Sequence, residues 1–146
     1  MDALTEAIPA KFFGERNNIH YTNAPARLRM TALYSIAGLI GGRVVCTSNR
    51  SEIYIGYSTK WGDGVGDLKP FEDLTVTELY AIGEYLEIPK DLLYKAPADG
   101  MTGKTDEEIL GFTYKELDHY ILTNELPGDV ESYRKINRRH RAALHK

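Results

Sequence analysis

The sequence predicts an α/β fold rich in helices, and three local features carry that expectation. Arg43-Val44-Val45-Cys46-Thr47 is short and β-branched, which fits a buried strand. Directly after it stand Thr47, Ser48, Asn49 and Glu52, polar residues at the carboxyl end of a strand that feeds a helix, where α/β sheets bind their ligands. Farther on, Thr75 with Glu78, Thr105 with Glu108 and Thr113 with Glu116 each spell a Thr-x-x-Glu capping box, in which hydroxyl and carboxylate satisfy backbone N–H groups that the first helical turn leaves unpaired.

Before the strand, residues 25 to 38 place Leu28, Met30, Leu33, Tyr34 and Ile36 largely along one side of a helix, with Asn23 as N-cap, Pro25 in the first turn and Gly41-Gly42 as the stop. After it, a helix starts between Ser48 and Gly56, and residues 57 to 73 form a loop rich in Gly and Asp. The Thr75 box leads a helix through Leu79, Ile82 and Leu86 that stops before Pro89. The Thr113 box carries Leu117 and Ile121, and a last helix runs from about Val130 into a basic tail. No repeat or linker divides the chain, so one domain is expected. A lone buried strand cannot satisfy its own N–H and C=O groups, so its neighbours are either missing or supplied by another chain.

Composition narrows the function classes. With 42% hydrophobic and 27% charged residues among 146, the chain is that of an ordinary globular domain. It has no apolar run long enough to span a membrane, and the Met1 segment, with Asp2, Glu6 and Glu15, lacks the regions of a signal peptide, which gives a cytoplasmic expectation. The single Cys46 allows no internal disulfide, and within an apolar strand it reads as inert core. Residues 134 to 146 hold six Lys/Arg and no acid, against 12 basic and 21 acidic residues in the rest. That tail suits either a phosphate or nucleic acid, or simply the negative end of a helix dipole. The acidic remainder argues against nucleic acid.

Two stretches could hold a ligand. Thr47 to Glu52 offers hydroxyls, an amide and a carboxylate at a helix N-terminus, which suits a nucleotide anion or plain capping by Ser48 or Asn49. Tyr57 to Asp67 alternates glycines with carboxylates beside Lys60, a composition that lets backbone approach a ligand closely. It is no Walker A loop, since no Gly-Lys-Ser/Thr follows, and no EF-hand, since the third and twelfth positions from Asp63 are Val65 and Leu74. Arg27 and Arg29 diverge around their helix, so one at most faces a given ligand. His140 and His145 are badly spaced for a shared metal, and His20 and His119 show no partner.

Taken in order, the segments resemble the NAD synthetase family from about Asn23 to Lys146. Asn-Ala-Pro-Ala-Arg27-Leu-Arg-Met30 matches N-x-x-A-R-x-R-M, Cys46 to Glu52 matches G-T-x-N-x-S-E, and Gly56 to Gly64 with Asp67 matches G-Y-x-T-K-x-G-D-G and its trailing Asp. Lys95-Ala96-Pro97, Thr105-Asp106-Glu107 and Leu110-Gly111-Phe112-Thr113-Tyr114 follow in the family's order. The resemblance implies an adenine nucleotide alpha hydrolase-like architecture with a Rossmann-like parallel sheet, of which this is the helix-rich C-terminal part. It also implies ATP-dependent amidation of deamido-NAD with free ammonia through an acyl-adenylate. Thr47 would contact ATP, Glu52 would ligate magnesium, and Arg27, Lys60, Asp67, His145 and Lys146 would contact deamido-NAD. A homodimer is implied as well.

The sequence departs from the family at Val76, where an ATP-contacting lysine is usual, and at Ala98, where Thr or Ser is usual. It also has no counterpart of the S-G-G-x-D-S loop that cradles pyrophosphate. An internal fragment, or one subunit of a split enzyme completed by a chain carrying that loop, is therefore expected. A non-catalytic interaction protein is the alternative.

Overall fold

The structure, a computed structural model, describes residues 6–7, 17–97 and 103–146. The Met1 segment, Ala98 and the side chain of His20 lie outside the described residues. Seven helices are described: α1 (Asn17–Ile40), α2 (Arg50–Ile55), α3 (Val76–Tyr85), α4 (Lys90–Leu93), α5 (Asp106–Leu110), α6 (Tyr114–Thr123) and α7 (Val130–Ala143). They fall into two compact units, the first formed by the described part of Met1–Cys46 with Ser58–Lys69, the second by Thr47–Tyr57 with Pro70–Lys146.

In the first unit α1 begins six residues ahead of the expected Asn23 cap, and Pro25 lies inside it. A proline removes one N–H and so one intrahelical bond, here the one that would reach the Tyr21 carbonyl, and the turns on either side carry the helix through. Asn23 is consequently not a cap, and its Oδ1 accepts a hydrogen bond from Thr59 Oγ1 at 3.0 Å. The stop is where expected: Gly41 takes φ +67° and the Gly42 N–H returns to the Ala37 carbonyl at 2.8 Å, a Schellman closure. Among the described residues the apolar stripe Leu28, Leu33 and Ile36 is about half exposed, and the buried positions of α1 are Ala24 and Ala26.

The expected strand and parallel sheet are reduced, among the described residues, to one parallel bridge between Val45 and Leu68. Cys46 N–H donates to the Leu68 carbonyl at 2.9 Å and Asp67 N–H to the Val44 carbonyl at 2.8 Å. The segment is not buried on both faces: Val44 and Cys46 point inward while Val45 is exposed, the alternation of a strand with one covered face. Gly66 makes the pairing possible, since a Cβ there would stand 2.5 Å from the Cys46 nitrogen.

The second unit holds the larger core, Ile55, Val76, Leu110, Phe112, Tyr114, Leu117 and Ile136. All three Thr-x-x-Glu boxes form as expected, and a fourth, Asn49 with Glu52, opens α2. Hydrogen bonds from the backbone N–H and then the hydroxyl of Thr75, Thr105 and Thr113 hold the carboxyls of Glu78, Glu108 and Glu116 below the usual range, and those from the Ser132 and Glu131 N–H groups do the same for Asp129. A group whose folded pKa is depressed stabilises the fold fully above its unfolded value, roughly pH 4, and loses that contribution as pH falls through the lower folded value. Melting followed by circular dichroism should therefore show a loss of stability that sets in below about pH 4.5. Glu78→Gln should make that loss shallower.

Where α2 meets α7, Gly56 ends α2 at φ +63° and an added Cβ would lie 2.4 Å from the Ala143 Cβ. Gly56→Ala should cost about 2–4 kcal/mol in urea unfolding, combining left-handed backbone strain with overpacking. Gly38→Ala, a helical site with nothing within 4 Å of the added Cβ, should instead stabilise by about 0.5–1 kcal/mol.

Candidate functional site

The first unit contains Arg27, Lys60 and Asp67. The loop after Tyr57 is a fixed turn rather than a loose one. Thr59 N–H donates to Asp63 Oδ1 at 2.8 Å, Gly62 N–H donates to the Thr59 carbonyl at 2.9 Å, and Thr59 Oγ1 reaches Asn23. Those bonds hold Trp61 at φ +61°, a left-handed conformation that costs a bulky residue about 1 kcal/mol or more. Trp61 is 66% exposed, and Lys60 Nζ lies 5.8 Å from its ring centroid. A Cβ on Gly62 would stand 3.0 Å from Thr59 Cβ and Cγ2 and 3.2 Å from the Ala26 Cβ of α1, tighter than ordinary packing. On the same helix, Arg27 Nε donates to the Lys60 carbonyl at 3.2 Å, so Arg27 and Lys60 are brought together. The carboxylate of Asp67 is drawn into the backbone pairing, its Oδ2 accepting from Val44 N–H at 2.8 Å. Cys46, expected to be inert core, is 2% exposed and its Sγ donates to the Asp63 carbonyl at 3.4 Å.

The second unit contains Thr47, Glu52, His145 and Lys146. Thr47 is exposed just ahead of α2. Of the two capping candidates, Asn49 is the cap: its Oδ1 accepts from Glu52 N–H at 3.0 Å, while Glu52 Oε2 accepts from Asn49 N–H at 3.1 Å. Glu52 therefore has a structural role whatever else it does. One carboxylate at a helix N-terminus is a donor set that suits magnesium shared with phosphate oxygens, since that ion takes one or two carboxylates and keeps its other positions for phosphate and water. It does not suit an all-protein metal cage, and no group of three or more His, Cys, Asp or Glu able to hold a metal occurs among the described residues.

Near Glu52, Asp106 is buried and accepts from Tyr57 Oη at 3.1 Å and Tyr114 Oη at 3.4 Å. Burial, then the charges of Glu52 and Asp106, push the Tyr114 hydroxyl far up, so it stays a phenol and a donor at every physiological pH. At the C-terminus, Lys146 Nζ donates to the Gly56 carbonyl, which sets the tail against the end of α2. His140, on α7, stacks on Tyr54 with ring centroids 4.1 Å apart, and its Nδ1 lies 2.8 Å from the Tyr54 carbonyl. His119, expected to lack a partner, has one in Glu125 at 3.2 Å. The basic tail is partly structural: Lys135 and Arg139 reach the Gly111 and Ile109 carbonyls at the end of α5.

Sequence reasoning missed a buried carboxylate. Asp118 on α6 is 1% exposed and accepts from Ser51 Oγ, from Thr77 N–H at 2.8 Å and from Thr77 Oγ1 at 2.7 Å. Ser51 Oγ in turn accepts from Val76 N–H at 3.0 Å. Val76 itself, where the family's lysine is usual, is a core residue.

With this geometry in place, comparison with known proteins fixes the class. Residues 1–146 match the family model "NAD synthase". The NH(3)-dependent NAD(+) synthetase of Carboxydothermus hydrogenoformans is 44% identical over 133 residues, covering 90% of this chain and 54% of that protein. The same enzyme of Thermoplasma acidophilum is 37% identical over 128 residues, covering 85% and 53%. Among solved structures, the NMN synthetase from Francisella tularensis superposes with a TM-score of 0.85 at 34% identity, over 99% of this chain and 58% of that one. The NAD+ synthetase from Burkholderia pseudomallei does so with 0.71 at 29% identity, over 99% and 55%.

The chain belongs to the NAD synthase family. It spans about half the length of the curated relatives it matches. No described helix is long and apolar enough to cross a membrane.

Proposed function

We propose that this chain is the deamido-NAD side of an ammonia-dependent NAD synthetase, a cytoplasmic carbon–nitrogen ligase of NAD biosynthesis that acts as a homodimer. The observation that carries the reading is the fixed turn presenting Lys60, hydrogen-bonded through its carbonyl to Arg27, in a chain matched by the NAD synthase family along its whole length. Arg27 and Lys60 supply cationic charge for a pyrophosphate-bearing dinucleotide, and Asp67 supplies an acceptor for its hydroxyls. The family motifs assign His145 and Lys146 to substrate binding and Thr47 to ATP.

In the reaction the nicotinate carboxylate attacks the ATP α-phosphate and pyrophosphate leaves. Ammonia then attacks the acyl carbon, AMP leaves with the bonding pair, and a proton is released. Magnesium, held by Glu52 and the phosphates, would offset the charge of the triphosphate. The chain's own share is orientation and charge complementarity. ATP contact by this chain is narrowed by the apolar Val76.

Because the chain spans about half the length of its relatives, mixing it with the N-terminal half of one that carries S-G-G-x-D-S should yield NAD that depends on ATP and ammonia. A mixture that associates by light scattering and forms no NAD would place the chain with the non-catalytic interaction proteins. A second reading, amidation of the corresponding mononucleotide, is favoured by the TM-score of 0.85 to the NMN synthetase. Supplying nicotinate mononucleotide and deamido-NAD in the same assay separates the two.

A further inference from the structure

The first N–H groups of a helix have no partners within it, and a buried helix start must find them elsewhere. In the second unit one carboxylate serves two helix starts, taking a backbone N–H from one and a first-turn hydroxyl from the other. Val76 and Thr77 open α3, and their N–H groups go to Ser51 Oγ and Asp118 Oδ2. Ser51, fully buried in the first turn of α2, donates a hydrogen bond from its own hydroxyl to Asp118 Oδ1. Arg50 N–H, one residue earlier, bonds the Leu74 carbonyl at 2.8 Å. One carboxylate on α6 thus clamps the openings of α2 and α3. A carboxylate is the right group for this, because it accepts at both oxygens and its charge is favoured at helix N-termini.

Glu52 is the next residue after Ser51, and the capping box at the turn that Ser51 anchors holds its carboxylate. We infer that Asp118 is a positioning residue: through Ser51 it sets the first turn of α2, and with it the direction of the Glu52 carboxylate toward metal-bound nucleotide. The metal-directed half of this inference rests on the proposed function, while the clamp on the turn does not.

The test uses the full chain with Asp118→Asn, Ser51→Ala and, as a core control outside the clamp, Ile136→Val. Amide hydrogen exchange at Asn49 and Glu52 is compared with that at Leu117, and the affinity for Mn·ATP is measured alongside. In Asp118→Asn and Ser51→Ala, exchange at Asn49 and Glu52 should rise at least about tenfold more than at Leu117, whereas Ile136→Val should raise all three together. Mn·ATP affinity should fall in step in the two clamp variants and hold in the control. Uniform acceleration in the clamp variants would overturn the inference, leaving Asp118 an ordinary stabilising group. If the unaltered chain fails to bind Mn·ATP, the functional reading loses its nucleotide site and the exchange pattern alone decides the clamp. Should Asp118→Asn not fold, Ser51→Ala carries the same comparison.

Discussion

Leu117→Ala should destabilise the protein by about 3–5 kcal/mol, the upper range for a leucine cut back in a core that cannot collapse around the space. Leu117 is wholly buried on α6, among Ile55 of α2, Val76 of α3, Leu110 of α5 and Ile136 of α7 in one cluster. Every one of those neighbours is held by its own helix, and the helix starts are pinned by capping boxes and by Asp118, so relaxation into the cavity is restrained. Domains of this kind are stable by only some 5–15 kcal/mol, so the variant should melt far below the parent or fail to fold at 37 °C. Leu122→Ala, five residues on along the same helix but half exposed, should cost less than about 1 kcal/mol. Urea denaturation of the two variants side by side measures the difference.

Lys60→Ala should weaken deamido-NAD binding by roughly 10- to 100-fold, the equivalent of one charge-assisted hydrogen bond of about 1.5–3 kcal/mol. Stability should move less than affinity, because Thr59, Gly62, Asp63 and the Lys60 carbonyl, whose bonds fix the turn, are all kept in the variant. Asp67 needs a subtler substitution. Its Oδ2 accepts the Val44 N–H, so Asp67→Ala removes a structural acceptor together with any ligand contact. Asp67→Asn keeps an oxygen for Val44 and removes the charge. Loss of affinity in both variants, with loss of stability confined to the alanine, is the expected pattern.

What could be read from the residues was whatever is local. A capping box is complete within four residues, so all the Thr-x-x-Glu helix starts stand where the sequence puts them, as do the Gly41-Gly42 stop and the helix running into the basic tail. The start of α1 was misread because Pro25 favours a first turn, yet a helix already under way tolerates one lost bond. The partner of the Val44–Cys46 segment was hidden because Gly66-Asp67-Leu68 has loop composition, and its pairing depends on a glycine's lack of a Cβ. Ser51, Thr77 and Asp118 are too far apart in sequence for any pattern to join them, and only the packing of α2, α3 and α6 reveals their network.

The candidate site was legible in another way. Arg27, Thr47, Glu52, Lys60, Asp67, His145 and Lys146 were named by family motifs, not by periodicity. The structure adds that Arg27 bonds the Lys60 backbone, that Asp67 completes a backbone pairing, that Glu52 caps α2 and that Lys146 rests on Gly56.

Trp61 is the only tryptophan in the chain, is exposed, and stands next to Lys60 in the turn held to bind the dinucleotide. Titrating deamido-NAD while following its emission is therefore the most direct measurement. A saturable change in the parent chain, shifted to higher ligand concentration in Lys60→Ala, is the predicted result. An unchanged spectrum with no calorimetric heat of binding, or the same affinity in Lys60→Ala as in the parent, would contradict it.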